Sequence, residues 1–106
     1  MDLSEIDNLH VVLHAPTPDA LARARNNAVN LLKDAPQATV RIIVNSKAVA
    51  AALDDPNGEM DAITWICPNT LRSLDRNVSA PLRVLAQGAV SELVKMQSEG
   101  WFYIRA

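Results

Sequence analysis

Apolar and polar positions along this chain follow two rhythms in turn. Leu9-His10-Val11-Val12-Leu13-His14 is a short β-rich run and predicts a first strand. Ala15-Pro16-Thr17-Pro18 breaks it, and Thr17 or Asp19 can cap a helix running to about Ala35. Leu21, Ala24, Ala28, Leu31 and Leu32 form the apolar stripe of that helix. Arg23, Arg25, Asn26, Asn27, Asn30 and Lys33 fall on its other faces, and Pro36 ends it. Thr39 to Val44 predicts a second strand, Asn45-Ser46 a turn and cap, and Lys47 to Leu53 a short helix. Asp54-Asp55-Pro56-Asn57-Gly58 is a dense turn signal, and its charges, with Glu59 and Asp61, read as solvated loop groups.

Asp61 to Ile66 predicts a third strand that ends at Cys67. Pro68 suits the first turn of a helix, where a missing N–H costs little, and that helix runs from about Asn69 to Asp75. Residues 77–81 read as loop and Leu82 to Ala86 as a fourth strand. After Gln87-Gly88 a helix runs from about Ala89 to Ser98, with Gly100 placed as its terminal glycine. Trp101 to Arg105 is the last strand. Residues 1–8 read as an arm or a short extra helix ahead of a single domain over 9–106.

Strands alternating with helices predict a three-layer α/β/α sandwich around a five-stranded, mainly parallel sheet, flavodoxin-like in style. The first three strands are nearly continuous in apolar residues, as strands covered on both faces are. Crossovers are expected to be right-handed, whereas strand order stays open.

Composition narrows the function classes. With 106 residues, 49% of them hydrophobic, the chain can bury a core without disulfide or metal staples. Ten basic against twelve acidic residues give a net charge of −2, which argues against a nucleic-acid footprint. The first residues carry Asp2, Glu5 and Asp7 and no basic residue, and no run approaches the roughly 18 apolar residues of a membrane span. A cytoplasmic protein, away from membranes, is expected. No G-x-G-x-x-G, P-loop or C-x-x-C motif occurs, and no metal-ligand spacing is evident. Neither a cofactor nor a metal is expected.

Chemistry centres on the single cysteine. In open parallel sheets ligands bind beyond the carboxyl ends of the strands. The residues there are His14, Asn45-Ser46, Cys67-Pro68-Asn69-Thr70 and Gln87-Gly88. Cys67 stands where a strand meets a helix N-terminus, which lowers a thiol pKa and activates the sulfur. His14 can orient or deprotonate it if the first and third strands are neighbours. His10 reads as structural or exposed. The alternative is bland: Cys67 packs as a small hydrophobe, and Asn45, Ser46, Asn69 and Thr70 are turn and cap residues. Three of the four aromatic residues lie in Trp101-Phe102-Tyr103, which suits a core or an interface.

Three segments together resemble the DsrE/DsrF-like family: the strand ending in His14, the run Ile66-Cys67-Pro68-Asn69-Thr70-Leu71, and the ending Leu93-x-x-Met96-Gln97-x-x-Gly100-Trp101-Phe102-Tyr103-Ile104-Arg105. The resemblance covers most of residues 9–105. It implies a small α/β/α sandwich that assembles as a homo-oligomer, often a trimer or hexamer. It also implies intracellular sulfur transfer, with Cys67 holding a persulfide and exchanging it with a donor or acceptor protein. On this reading the chain is at most a sulfurtransferase-like carrier. The other reading is a non-catalytic oligomeric module that binds a small ligand or a protein.

Overall fold

Successive side chains of a strand point to opposite faces, so strands apolar at nearly every position need cover on both sides. The computed structural model, which describes residues 1–106, supplies that cover. Its elements are β1 (His10–Ala15), α1 (Pro18–Asp34), β2 (Thr39–Val44), α2 (Ala48–Asp54), α3 (Gly58–Asp61), β3 (Thr64–Ile66), α4 (Pro68–Leu74), β4 (Arg83–Val84), α5 (Ala89–Ser98) and β5 (Phe102–Arg105). The strands form one sheet in the order β4-β3-β2-β1-β5, and every pair is parallel.

This order explains the layers. From β1 to β4 the chain steps each time to the adjacent strand in one direction. Right-handed crossovers then put the connecting helices on one face. The step from β4 to β5 runs back past β1 in the opposite direction, and the same handedness puts α5 on the other face. The core divides accordingly. Val11, Leu13, Ala15, Ile42, Val44 and Ile66 pack with Leu21, Ala24, Ala28, Val49, Ala52 and Leu71. Val12, Ile43, Cys67 and Leu85 pack with Ala89, Leu93 and Met96 of α5 alone. The result is the expected α/β/α sandwich, with one layer much thinner than the other.

Local chemistry sets the element ends. Thr17 caps α1 by accepting from Ala20 N–H at 3.1 Å. Gly100, at φ 96°, closes α5: its N–H bonds Gln97 O and Trp101 N–H bonds Met96 O, a Schellman ending. Trp101 N–H is thereby engaged, and β5 begins one residue later than the sequence predicts. The third strand also starts late, because Asn57 caps a helical turn over Gly58–Asp61. Asn57 Oδ1 accepts from Met60 N–H at 3.2 Å, and Asn57 N–H donates to Asp61 Oδ2 at 3.0 Å. The fourth strand is only two residues long. At the N-terminus Leu3–Glu5 form a 3-10 turn capped by Asp2, and Leu3 and Ile6 pack on the larger core.

Two expected surface charges are interior. Arg25 is 8% exposed and Asp61 3% exposed, so neither is the solvated group its polarity suggests. Arg25 Nη1 meets Asp55 Oδ2 at 3.0 Å, while Nη2 donates to Asp55 O at 2.8 Å and lies 3.5 Å from Asp61 Oδ1. The guanidinium therefore ties α1 to the segment between α2 and β3. Arg25→Ala leaves Asp61 in the interior without its cation and is expected to cost about 3 kcal/mol. Urea unfolding measures this. Arg25→Met combined with Asp61→Leu, which removes both charges, is expected to restore most of the loss.

Candidate functional site

β2, β3 and β4 end level with one another, and that alignment builds the site. Cys67 N–H donates to Val44 O at 2.9 Å, and Leu85 N–H donates to Ile66 O at 3.0 Å. The residues after each strand therefore meet at one edge of the sheet. Asn45, Ser46, Cys67, Asn69, Thr70 and Gly88 line a pocket of about 380 Å³ there, together with Ala89, Val90 and Ser91.

Cys67 is the N-cap residue of α4. A serine or aspartate oxygen usually occupies that place and accepts from the N–H groups of the first turn. Here Cys67 takes the position without a capping hydrogen bond from its side chain, followed by Pro68, which has no N–H to satisfy. α5 arrives from the opposite side, and Ala89 N–H at its first turn donates to Cys67 Sγ at 3.4 Å. Burial pushes the thiol pKa up. The N–H groups of Thr70, Ala89 and Asn69 and the Thr70 hydroxyl outweigh that effect, and the pKa is lowered. The first turns of two helices thus favour the thiolate.

The wall is held by a few specific contacts. Ser46 adopts the left-handed conformation at φ 53°, uncommon for a residue with a side chain. Its N–H donates to Thr70 Oγ1 at 3.2 Å. This bond ties the β2 loop to the first turn of α4. Asn69 Oδ1 accepts from Arg72. A Cβ on Gly88 would stand 2.7 Å from Asn69 Nδ2 and would displace the Asn69 amide.

Three predicted site residues stand elsewhere. β2 separates β1 from β3, so the condition under which His14 would reach the thiol is not met. Instead His14 Nδ1 bonds Tyr103 Oη at 2.7 Å, and Nε2 bonds Asn45 Oδ1 at 3.0 Å. His14 thus acts on the pocket only through Asn45. Pro68 lines a larger cleft of about 590 Å³ with Arg72, Asp75 and Arg76, which holds no thiol or hydroxyl side chain. Gln87 is exposed and outside the pocket. Ala89, Val90 and Ser91 are lining residues that sequence reasoning missed. Their signal was the helix start directly after Gln87-Gly88.

No helix is long and apolar enough to cross a membrane, and no three metal-binding side chains cluster. No family model and no curated protein matches the chain. Fold and site together define an α/β/α protein with one thiol at a helix N-cap position.

Alkylation of Cys67 by iodoacetamide is expected to show a midpoint below the ordinary thiol value of about 8.5. Thr70→Val, which keeps the shape and removes one donor, is expected to move that midpoint up. The sign for stability follows from linkage. A depressed folded pKa stabilises the native state above the unfolded thiol pKa, and that stability is lost as pH falls through the folded value. The unfolding free energy of the wild type relative to Cys67→Ser should therefore rise with pH and level off above about 8.5. Chemical denaturation at a series of pH values checks this.

Proposed function

We propose that this protein is a single-thiol sulfur carrier. The observation that carries the reading is the Cys67 sulfur at the N-cap position of α4, accepting the Ala89 N–H of α5 at the wall of an open pocket. The resemblance of the Cys67 segment and the C-terminal ending to the DsrE/DsrF-like family supports the same reading. The Cys67 thiolate attacks the terminal sulfur of a persulfide or polysulfide donor. A new S–S bond forms, the donor S–S bond breaks, and the donor leaves as a thiolate from a persulfide, or as a polysulfide anion one sulfur shorter from a polysulfide. An acceptor thiolate then attacks the outer sulfur of the Cys67 persulfide, and Cys67 leaves as the thiolate it began as. No external oxidant or reductant is needed. The N–H donors that favour the thiolate also favour the persulfide anion and the departing thiolate.

A second reading has its own support. Cys67 is only 5% exposed and packs against Val12, Ile43 and Leu93. In that reading the sulfur fills space and the pocket holds a small ligand or a partner's side chain. A homo-oligomer, trimer or hexamer by the family resemblance, is part of both readings. The open edge strand β5 supports it. Phe102 and Ile104 are about half exposed, over a groove of about 380 Å³ shared with Leu3, Ile6 and Leu31.

Incubation with polysulfide followed by intact-mass measurement is expected to add sulfur to the wild type and none to Cys67→Ser. Thr70→Val is expected to load more slowly at neutral pH. An unloaded wild type beside a loaded control carrier would sink the carrier reading and leave the binding module. For assembly, Phe102→Asp combined with Ile104→Lys is expected to shift the sedimentation coefficient to that of the monomer without changing Cys67 alkylation.

A further inference from the structure

The sheet face that carries α5 is only partly covered. α5 packs over Val12, Ile43, Cys67 and Leu85. Toward the amino ends of the strands the same face presents His10, Arg41, Trp65, Arg83 and Trp101, all half-buried or exposed. These five side chains stack in one row across the sheet. Arg83 Cζ lies 5.1 Å from the Trp65 ring centroid, and Arg41 Cζ lies 4.6 Å from it. Arg41 Cζ is also 5.0 Å from the Trp101 ring. His10 closes the row edge-on against Trp101 at 4.8 Å, its Nδ1 held by Asn8 O.

Neither stacked guanidinium has an acidic partner. The ion pairs of the chain use Arg25 and Arg76. The arginine hydrogen bonds belong to Arg23, Arg25, Arg72 and Arg105. Arg41 and Arg83 are therefore held over indoles with their N–H groups free of protein partners, in a chain that carries more acids than bases. A guanidinium fixed in this way has already lost much of its rotamer freedom, so less is lost when it binds an anion.

We propose that this row is a docking surface for an acidic peptide segment of a partner protein, gripped by Arg41 and Arg83. The surface stands independently of the thiol chemistry. β2 and β4 lie two strand spacings apart, about 10 Å, which a peptide in the polyproline II conformation, with three residues per turn, spans between carboxylates three residues apart on one face. Each guanidinium donates to one carboxylate while it sits over Trp65. Single-stranded nucleic acid fits less well. It needs free aromatic faces for its bases and a basic track for its phosphates. Here Trp65 carries a guanidinium from each of two neighbouring strands, Trp101 carries Arg41 and His10, and two unpaired cations make no track.

The only two tryptophans of the chain both stand in this row, so intrinsic fluorescence reads it directly. Titration of the full chain with hexaglutamate is expected to give a saturable change that weakens as salt is raised. Hexalysine should give none. Arg41→Gln and Arg83→Gln, each checked for native circular dichroism, should each weaken binding by roughly tenfold or more, as loss of a charged hydrogen bond does. Cys67→Ser should bind like the wild type. Two variants on different strands keep the test open if one fails to fold. Any of three results would overturn the proposal: no saturable response to hexaglutamate, unchanged affinity in both arginine variants, or tighter binding of oligothymidylate than of hexaglutamate. Self-association without peptide that Arg41→Gln abolishes would also overturn it, since the occupant would then be a second copy.

Discussion

The level ending of three parallel strands is the constraint on which this site depends. Backbone bonds from Cys67 to Val44 and from Leu85 to Ile66 set β2, β3 and β4 in register at their carboxyl ends. The chain leaves each strand at the same height, and α4 and α5 both begin there. Cys67 stands at the start of α4, and the Ala89 N–H of α5 reaches its sulfur, because of this register. A slip of one residue in β3 would turn Cys67 to the opposite face, among the side chains of the larger core. Pairing within the sheet, more than any side-chain contact, therefore decides what the thiol can do.

The unequal layers follow from the same topology. Four strands laid down in one direction put four helices on one side, and the single return crossover leaves α5 alone on the other. One helix cannot cover five strands. The uncovered part of that face is closed by Arg41 and Arg83 lying on Trp65 and Trp101, whose long side chains hide apolar surface while their charged ends meet water. On the thicker side the reverse problem arises. Arg25 is drawn under the α2–β3 connection, where Asp55 and Asp61 compensate its charge.

Much of this was legible beforehand. The apolar runs at 9–14 and 39–44 and the three-to-four spacing of Leu21, Ala24, Ala28 and Leu31 predict strands and a helix, because their periods differ. The position of Cys67 at a strand-to-helix junction followed from Ile66 before it and Pro68 after it. The misreadings have particular causes. Asp54 to Gly58 reads as a turn, and it hid α3 because the capping exchange between Asn57 and Asp61 involves a residue beyond the turn signal. Arg25 reads as solvated because helical spacing gives a face and not the depth of what covers it. His14 sits at the strand end as expected, but its partners are Tyr103, 89 residues away, and Asn45, 31 residues away.

The sequence by itself determined the element types, the parallel α/β class and the edge on which Cys67 lies. These rest on local periodicity, turn chemistry and chirality, which act over a few residues. Tertiary structure alone decided the strand order, and with it everything that depends on which strands are neighbours. It placed β2 between His14 and Cys67 and brought Ala89 to the sulfur from 22 residues away. It also lined up Arg41 of β2, Arg83 of β4, Trp65 of β3 and Trp101, the residue before β5. Such contacts are set by long-range pairing, and long-range pairing leaves no periodic signature along the chain.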